Sequence, residues 1–218
     1  APKQAAPAAA ENKPAAAAPA AAPAAQPAAA NNAPPKTKDE RKQAWEKLRA
    51  TLPRTKSAED KNRRVELWKQ FDQNGSGKIS LAEVDAACRT HLHLDEFTSN
   101  LSPILMRAFE KANGMGEKRG SGDFVEFLEF RLMICYIYDY MELYTMFDEV
   151  DSSDDGRVSL DEFKKAVPLI EKWGLKMPNP DAVFAEIDAD KGGMILFEEF
   201  ANWATAKKLD ADGDPDNE

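Results

Sequence analysis

The chain has 218 residues, 43% apolar and 31% charged, a balance that allows a buried core in water. Its net charge of −9 and two cysteines argue against a nucleic-acid partner and a disulfide scaffold, and fit reduced thiols in a cytosolic compartment. No run of about 18 uninterrupted apolar residues occurs, so no membrane-spanning segment is expected.

Ala1 to Pro35 is nearly all Ala and Pro, with no aromatic or branched apolar residue. Such a segment cannot offset its ordering entropy, and residues 1–36 are expected to form a disordered extension. It also lacks the charged start and branched apolar run of a signal peptide. The charge then divides. Lys36 to Lys69 carries 12 Lys/Arg against six Asp/Glu, whereas residues 70–218 carry 15 against 31. A basic front on an acidic body suggests an anionic surface for the first and cations for the second. The basic front also reads as two solvated helix faces.

Asp39 to Leu52 reads as a helix, with Trp45, Leu48 and Leu52 on one face and Pro53 as a stop. Ser57 opens a second helix carrying Val65, Leu67, Trp68 and Phe71. It leads into Asp72-Gln-Asn-Gly-Ser-Gly-Lys-Ile-Ser-Leu-Ala-Glu83, with side-chain oxygens on Asp72, Asn74, Ser76, Ser80 and Glu83. Gly77 allows a sharp turn, Lys78 offers its backbone carbonyl, and Ile79 can pair with a partner loop. A hard cation such as Ca2+ takes six to eight oxygens at about 2.3–2.6 Å, which this spacing can supply. Two carboxylates make the attraction weak, so an ordered, metal-free loop is the rival reading. His91 and His93 follow on the outgoing helix, two apart and so on different faces.

A helix is expected from about Leu101 to Lys111, then a glycine-rich stretch to Gly122. Phe124-Val-Glu-Phe-Leu-Glu-Phe130 has the closing half of the same loop, with Val125 in the ladder position and Glu129 twelfth. Lys118 then stands first, and Gly120 and Gly122 stand third and fifth, which predicts a loop that binds no metal but pairs with the first. Glu126 to Val150 contains neither Gly nor Pro and is dense in aromatics and Met. It must hold the outgoing helix of the second unit and the incoming helix of the third, with a bend expected near Asp139. Its apolar side chains are either core or a groove exposed on metal binding.

Asp151-Ser-Ser-Asp-Asp-Gly-Arg-Val-Ser-Leu-Asp-Glu162 is the best-equipped loop. Asp151, Ser153, Asp155 and Glu162 supply side-chain oxygens, Arg157 a carbonyl, Ser159 a water-mediated contact and Val158 the ladder residue. A helix from Phe163 to Trp173 should kink at Pro168, and Asp181 can cap the next. The last loop, Asp188 to Glu199, offers Asp188, Asp190, the Met194 carbonyl and Glu199, with Ile195 in the ladder position. Gly192 and Leu196 remove two ligands, so water must substitute. Leu209 to Glu218 imitates a loop start without a closing glutamate and reads as a flexible acidic tail.

Four helix–loop–helix units in register predict an all-α EF-hand protein, its units paired into two lobes. The division expected is 1–36 for the extension, 37–137 for the basic helix and hands one and two, 138–208 for hands three and four, and 209–218 for the tail. No activated nucleophile, phosphate loop or histidine–carboxylate pair points to catalysis. Beyond spacing, the chain resembles the flagellar calcium-binding proteins of trypanosomes, the calflagin family. The resemblance is carried by Arg41-Lys-Gln-Ala-Trp-Glu-Lys-Leu-Arg49, Arg63-Arg-Val-Glu-Leu-Trp-Lys-Gln-Phe71, Leu94-Asp-Glu-Phe-Thr98, Phe124 to Tyr138 and Leu209 to Asp216. It implies a calcium sensor on the cytoplasmic side of the flagellum, peripheral at the flagellar membrane, with the third and fourth hands as the usual sites. The family's acylated Met-Gly-Cys start has no counterpart in Ala1-Pro2-Lys3. Its basic N-terminal region corresponds to Lys36, Lys38, Arg41 and Lys42, a patch suited to anionic lipid at about 1 kcal/mol per charge. An unidentified protein partner is the other expected contact, and a calcium buffer with little opening is the alternative to a sensor.

Overall fold

A computed structural model describes residues 37–98, 101–115 and 124–209. The expectations for the Ala/Pro-rich extension, Lys36, the Lys118–Gly122 half-loop and the acidic tail fall outside these residues. Contacts divide the chain into Ala1–Pro34 and Pro35–Glu218, and the following concerns the second unit.

Among the described residues the fold is eight α-helices and four short strands. Helix α1 (Lys38–Arg49) begins one residue before the expected start because Thr37 caps it. The Thr37 hydroxyl accepts from the Glu40 N–H at 3.3 Å, and the Glu40 carboxylate accepts from the Thr37 N–H at 2.8 Å. The first hand follows as α2 (Ala58–Phe71), β1 (Lys78–Ile79) and α3 (Leu81–Thr90). The two histidines lie past α3 and not on it. His91 is its C-cap, and His93 takes a left-handed backbone at φ 52° ahead of a one-turn 3-10 helix, Leu94–Glu96.

The second hand comprises α4 (Leu101–Met115), β2 (Val125–Glu126) and α5 (Phe127–Val150). Strand β1 pairs antiparallel with β2, placing Ile79 opposite Val125 as the loop register requires. Helix α5 also serves as the incoming helix of the third hand, which continues with β3 (Arg157–Ser159) and α6 (Leu160–Lys172). It runs through Asp139 as one 24-residue helix where a bend was expected, and no Gly or Pro interrupts it. The fourth hand is α7 (Pro180–Ile187), β4 (Met194–Leu196) and α8 (Phe197–Ala206). Asn179, not Asp181, caps α7, since Pro180 fits the first helical position and Asp181 falls inside the first turn. Strands β3 and β4 pair antiparallel with Val158 opposite Ile195.

The core follows α5, with Phe130, Met133, Ile134 and Phe147 among its fully buried side chains. Phe130 packs edge-on against Trp68 and Phe71, both at 5.2 Å between ring centroids. Phe147 meets Phe197 and Phe200 of the fourth hand at 5.7 Å. Most of the aromatic and Met run of α5 is therefore core. The exception is its first turn, where Leu128 is 88% exposed.

Phe130 joins the first two hands through aromatic contacts that a smaller side chain cannot replace. Phe130→Ala is expected to destabilise the fold by about 3–5 kcal/mol. Chemical denaturation in the presence of chelator would measure that loss.

Candidate metal centres

Every hand ends its loop in the same way. The twelfth residue is a glutamate at the third position of the outgoing helix, and one of its oxygens accepts from the backbone N–H of the ninth residue. The four bonds are Ser80 to Glu83, Glu126 to Glu129, Ser159 to Glu162 and Leu196 to Glu199, each 2.9 Å. One carboxylate oxygen thus closes the helix start, and in the loops from 72, 151 and 188 the other is aimed across the loop. In the loops from 72, 151 and 188 the sixth residue is a glycine, with φ of 76° at Gly77 and 78° at Gly156 and Gly193. That left-handed turn sends its N–H back to the first residue, to Asp72 at 2.9 Å, Asp151 at 2.8 Å and Asp188 at 3.0 Å.

The loops differ in what the remaining oxygens do. In Asp188–Glu199, single carboxylate oxygens of Asp188, Asp190 and Glu199 lie within 4.8 Å of one another, the one such acidic set among the described residues. Asp188 is 8% exposed, and its Oδ1 is buried with no hydrogen-bond partner. Three carboxylates this close repel, and an unpaired buried oxygen is costly. A divalent cation would relieve both, so the donor set fits Ca2+. Gly192 lies against the Asp190 carboxylate, which would have to shift for a larger side chain. Its N–H donates to Asp190 Oδ1 at 2.7 Å, and a Cβ there would stand 2.8 Å from that oxygen.

In Asp151–Glu162 the carboxylates are engaged by the loop itself. Asp151, 2% exposed, accepts from the Ser153 hydroxyl at 3.1 Å and the Asp154 N–H at 2.8 Å. Glu162 Oε1 accepts from the Ser152 hydroxyl at 3.0 Å and the Ser153 N–H at 2.9 Å. Asp155 faces Arg157, accepting from its N–H at 2.9 Å. Ser152 stands second in the loop, between the first and third positions that carry ligands, so the spacing alone does not point to it.

The Asp72–Glu83 loop is closed by neutral donors. Asn74 Nδ2 donates to Glu83 Oε1 at 2.6 Å, and the Ser76 hydroxyl donates to the Lys78 carbonyl at 2.7 Å. Four of its six expected ligands, Asn74, Glu83, Ser76 and the Lys78 carbonyl, are thus bonded to one another in pairs.

The basic front has partners inside the fold. Arg41 NH2 contacts Asp148 at 2.9 Å and Asp154 at 2.6 Å, Lys38 donates to the Asp148 carbonyl at 2.7 Å, and Lys42 pairs with Glu149. Trp45 Nε1 and Arg49 both reach Glu142, at 2.6 and 2.8 Å. Three of the four cations assigned to a lipid patch therefore face the end of α5 and the third loop, and Lys36 lies outside the described residues.

Burial alone would raise the Glu162 carboxyl, but hydrogen bonds from Ser159, Ser152 and Ser153 outweigh it and lower it from 4.5 to about 2. A folded value below the unfolded one stabilises fully above the unfolded value, and that stabilisation is lost as pH falls toward the folded one. Acid unfolding of the metal-free protein is expected to draw on Glu162 between 4.5 and about 2. A carboxyl-detected NMR titration checks the midpoint, and Glu162→Gln should remove this part of the acid sensitivity.

The FCaBP EF-hand domain family matches residues 48–137, and the EF-hand domain pair matches residues 140–205. The flagellar calcium-binding protein of Trypanosoma cruzi is 54% identical over 176 residues, covering 79% of this chain and 83% of that protein. The flagellar calcium-binding protein TB-17 of Trypanosoma brucei brucei is 50% identical over 186 residues, covering 84% and 80%. With its paired loops, its converging acidic side chains and this extent of identity, the chain belongs to the flagellar calcium-binding protein family of EF-hand proteins, whose metal is Ca2+.

Proposed function

We propose that the chain is a flagellar calcium sensor whose metal state controls association with membrane lipid or a partner protein. The observation carrying this reading is the buried, unpartnered Asp188 oxygen within three converging carboxylates, joined to the third loop by the Val158–Ile195 ladder. Asp188, Asp190, the Met194 carbonyl and Glu199 hold one ion. Asp151, Ser153, Asp155, the Arg157 carbonyl and Glu162 hold a second once the bonds from Ser152 and Ser153 yield to metal. Asp72, Asn74, Ser76, the Lys78 carbonyl and Glu83 form the weakest site, since the ion must displace the Asn74–Glu83 and Ser76–Lys78 bonds. When bound, Ca2+ supplies a divalent charge that neutralises the gathered carboxylates.

The working units are residues 37–137 and 138–208, sharing α5, so a change at the third loop acts directly on a helix of the second hand. Lys38, Arg41 and Lys42 link this to the exterior. The same cations that would meet anionic lipid are paired with Asp148, Asp154 and Glu149, so lipid contact through them competes with docking of α1. At the flagellar membrane this makes association peripheral and reversible.

Calcium calorimetry on the wild type, Asp188→Ala, Asp151→Ala and Asp72→Ala is expected to show loss of one strong site in each of the first two variants. The third should lose the weakest. Calcium should also change tryptophan emission and binding to vesicles containing anionic lipid, and Glu162→Gln should abolish the change. Binding with no change in emission or vesicle association would mark a buffer instead.

A further inference from the structure

We propose that Arg41 of α1 is a positioning residue of the third loop. It holds Asp154 in the left-handed backbone that the fourth loop position requires, and so raises calcium affinity at Asp151–Glu162. The proposal rests on the reading of that loop as a calcium site.

The fourth position is left-handed in each of the three loops: φ is 68° at Gly75, 60° at Asp154 and 59° at Lys191. Glycine takes this conformation freely, whereas a Cβ disfavours it. In the third loop the conformation matters for the site, because it turns the following chain back so that the Gly156 N–H donates to Asp151 Oδ2 at 2.8 Å. Asp151 is the residue that opens the loop and its most buried carboxylate.

Arg41 bonds the Asp154 side chain through both terminal nitrogens, NH2 to Oδ1 at 2.6 Å and NH1 to Oδ2 at 3.4 Å. The same NH2 reaches Asp148 Oδ1 at 2.9 Å, on the last turn of α5. One guanidinium therefore ties the helix end before Asp151 to the turn after it. The Arg41 and Asp148 side chains are 12% and 13% exposed and so little screened by solvent, whereas Asp154 is 49% exposed and its end of the link is screened more. Helix α1 is itself fixed by Trp45 and Arg49 on Glu142, which keeps the guanidinium in place. The charge of Arg41 repels an incoming cation, although Asp148 and Asp154 leave the trio with a net negative charge. Positioning must exceed that repulsion for affinity to rise.

Calcium calorimetry on the full chain tests this with Arg41→Ala, Arg41→Lys, Asp154→Gly and the double variant Arg41→Ala/Asp154→Gly. Arg41→Ala is expected to weaken the third loop by roughly fivefold, and Arg41→Lys by less, because one bond to Asp154 is kept. Glycine at position 154 needs no clamp, so removing Arg41 in that background should leave affinity unchanged. In the calcium-free protein, amide exchange at Asp154 and Gly156 should accelerate in Arg41→Ala. Tighter or unaltered binding in Arg41→Ala would overturn the proposal, as would an equal loss in the Asp154→Gly background, which would mean general loosening through α1. A calcium stoichiometry unchanged by Asp151→Ala would instead overturn the calcium reading of the loop. The exchange rates would still show whether Arg41 holds the turn.

Discussion

The structure depends on one uninterrupted helix. At about 1.5 Å per residue, the 24 residues of α5 span roughly 36 Å, and both hand pairs are assembled along that length. Its first half carries Phe130 into the rings of Trp68 and Phe71, and its second half carries Phe147 into those of Phe197 and Phe200. A helix buried by different neighbours at its two ends needs apolar residues on most faces, which is why its run of aromatics and methionines has no narrow stripe. The same run in an isolated helix would suggest a partner groove. Here the partners are the chain's own hands.

The twelfth-position glutamate shows how one residue serves fold and metal together. Bound to the ninth-position N–H, it caps the outgoing helix, and Glu129 makes that bond although lysine stands first in its loop. The second oxygen is the variable part. It accepts from the Asp190 N–H at 3.2 Å, from the Ser152 hydroxyl and Ser153 N–H, or from the Asn74 amide, according to what each loop offers. Replacing a hydrogen bond by an ion is easiest where the existing bond is longest and a neighbouring oxygen is unpaired. Both conditions are met in the Asp188 loop, although the Asp151 loop has more side-chain ligands in sequence.

How much was legible followed the range of the interactions. Ladder partners, turn glycines and closing glutamates are fixed by spacing inside 12 residues, so Ile79–Val125 and Val158–Ile195 could be read directly. The all-α, paired-hand fold followed from those registers. The hydrogen bonds inside each loop were less legible, because ligand identity does not reveal which oxygens are already engaged. Least legible was the basic front. Arg41 and Asp154 are separated by 113 residues, and a run of positive charge carries no mark of which carboxylates will face it.

That placement changes the meaning of the charge asymmetry. Positive α1 and negative body are complementary parts of one fold, and their contacts gather at Asp148, Glu149 and Asp154, around the start of the third loop. An ion at Asp151 and the cations of α1 therefore act on the same stretch of chain. Exposed ion pairs contribute little singly, but the Arg41 side chain is itself largely shielded and shares Asp148 with Lys38, while Lys42 on Glu149 and Trp45 and Arg49 on Glu142 add separate contacts along α1. The sign of its coupling to calcium is set by a competition between charge and geometry. Charge alone would make α1 an inhibitor of binding, released as the ion arrives. Were the held left-handed turn to outweigh charge, α1 would be part of the site and calcium would strengthen its docking by the same factor, since coupling between two binding events is reciprocal.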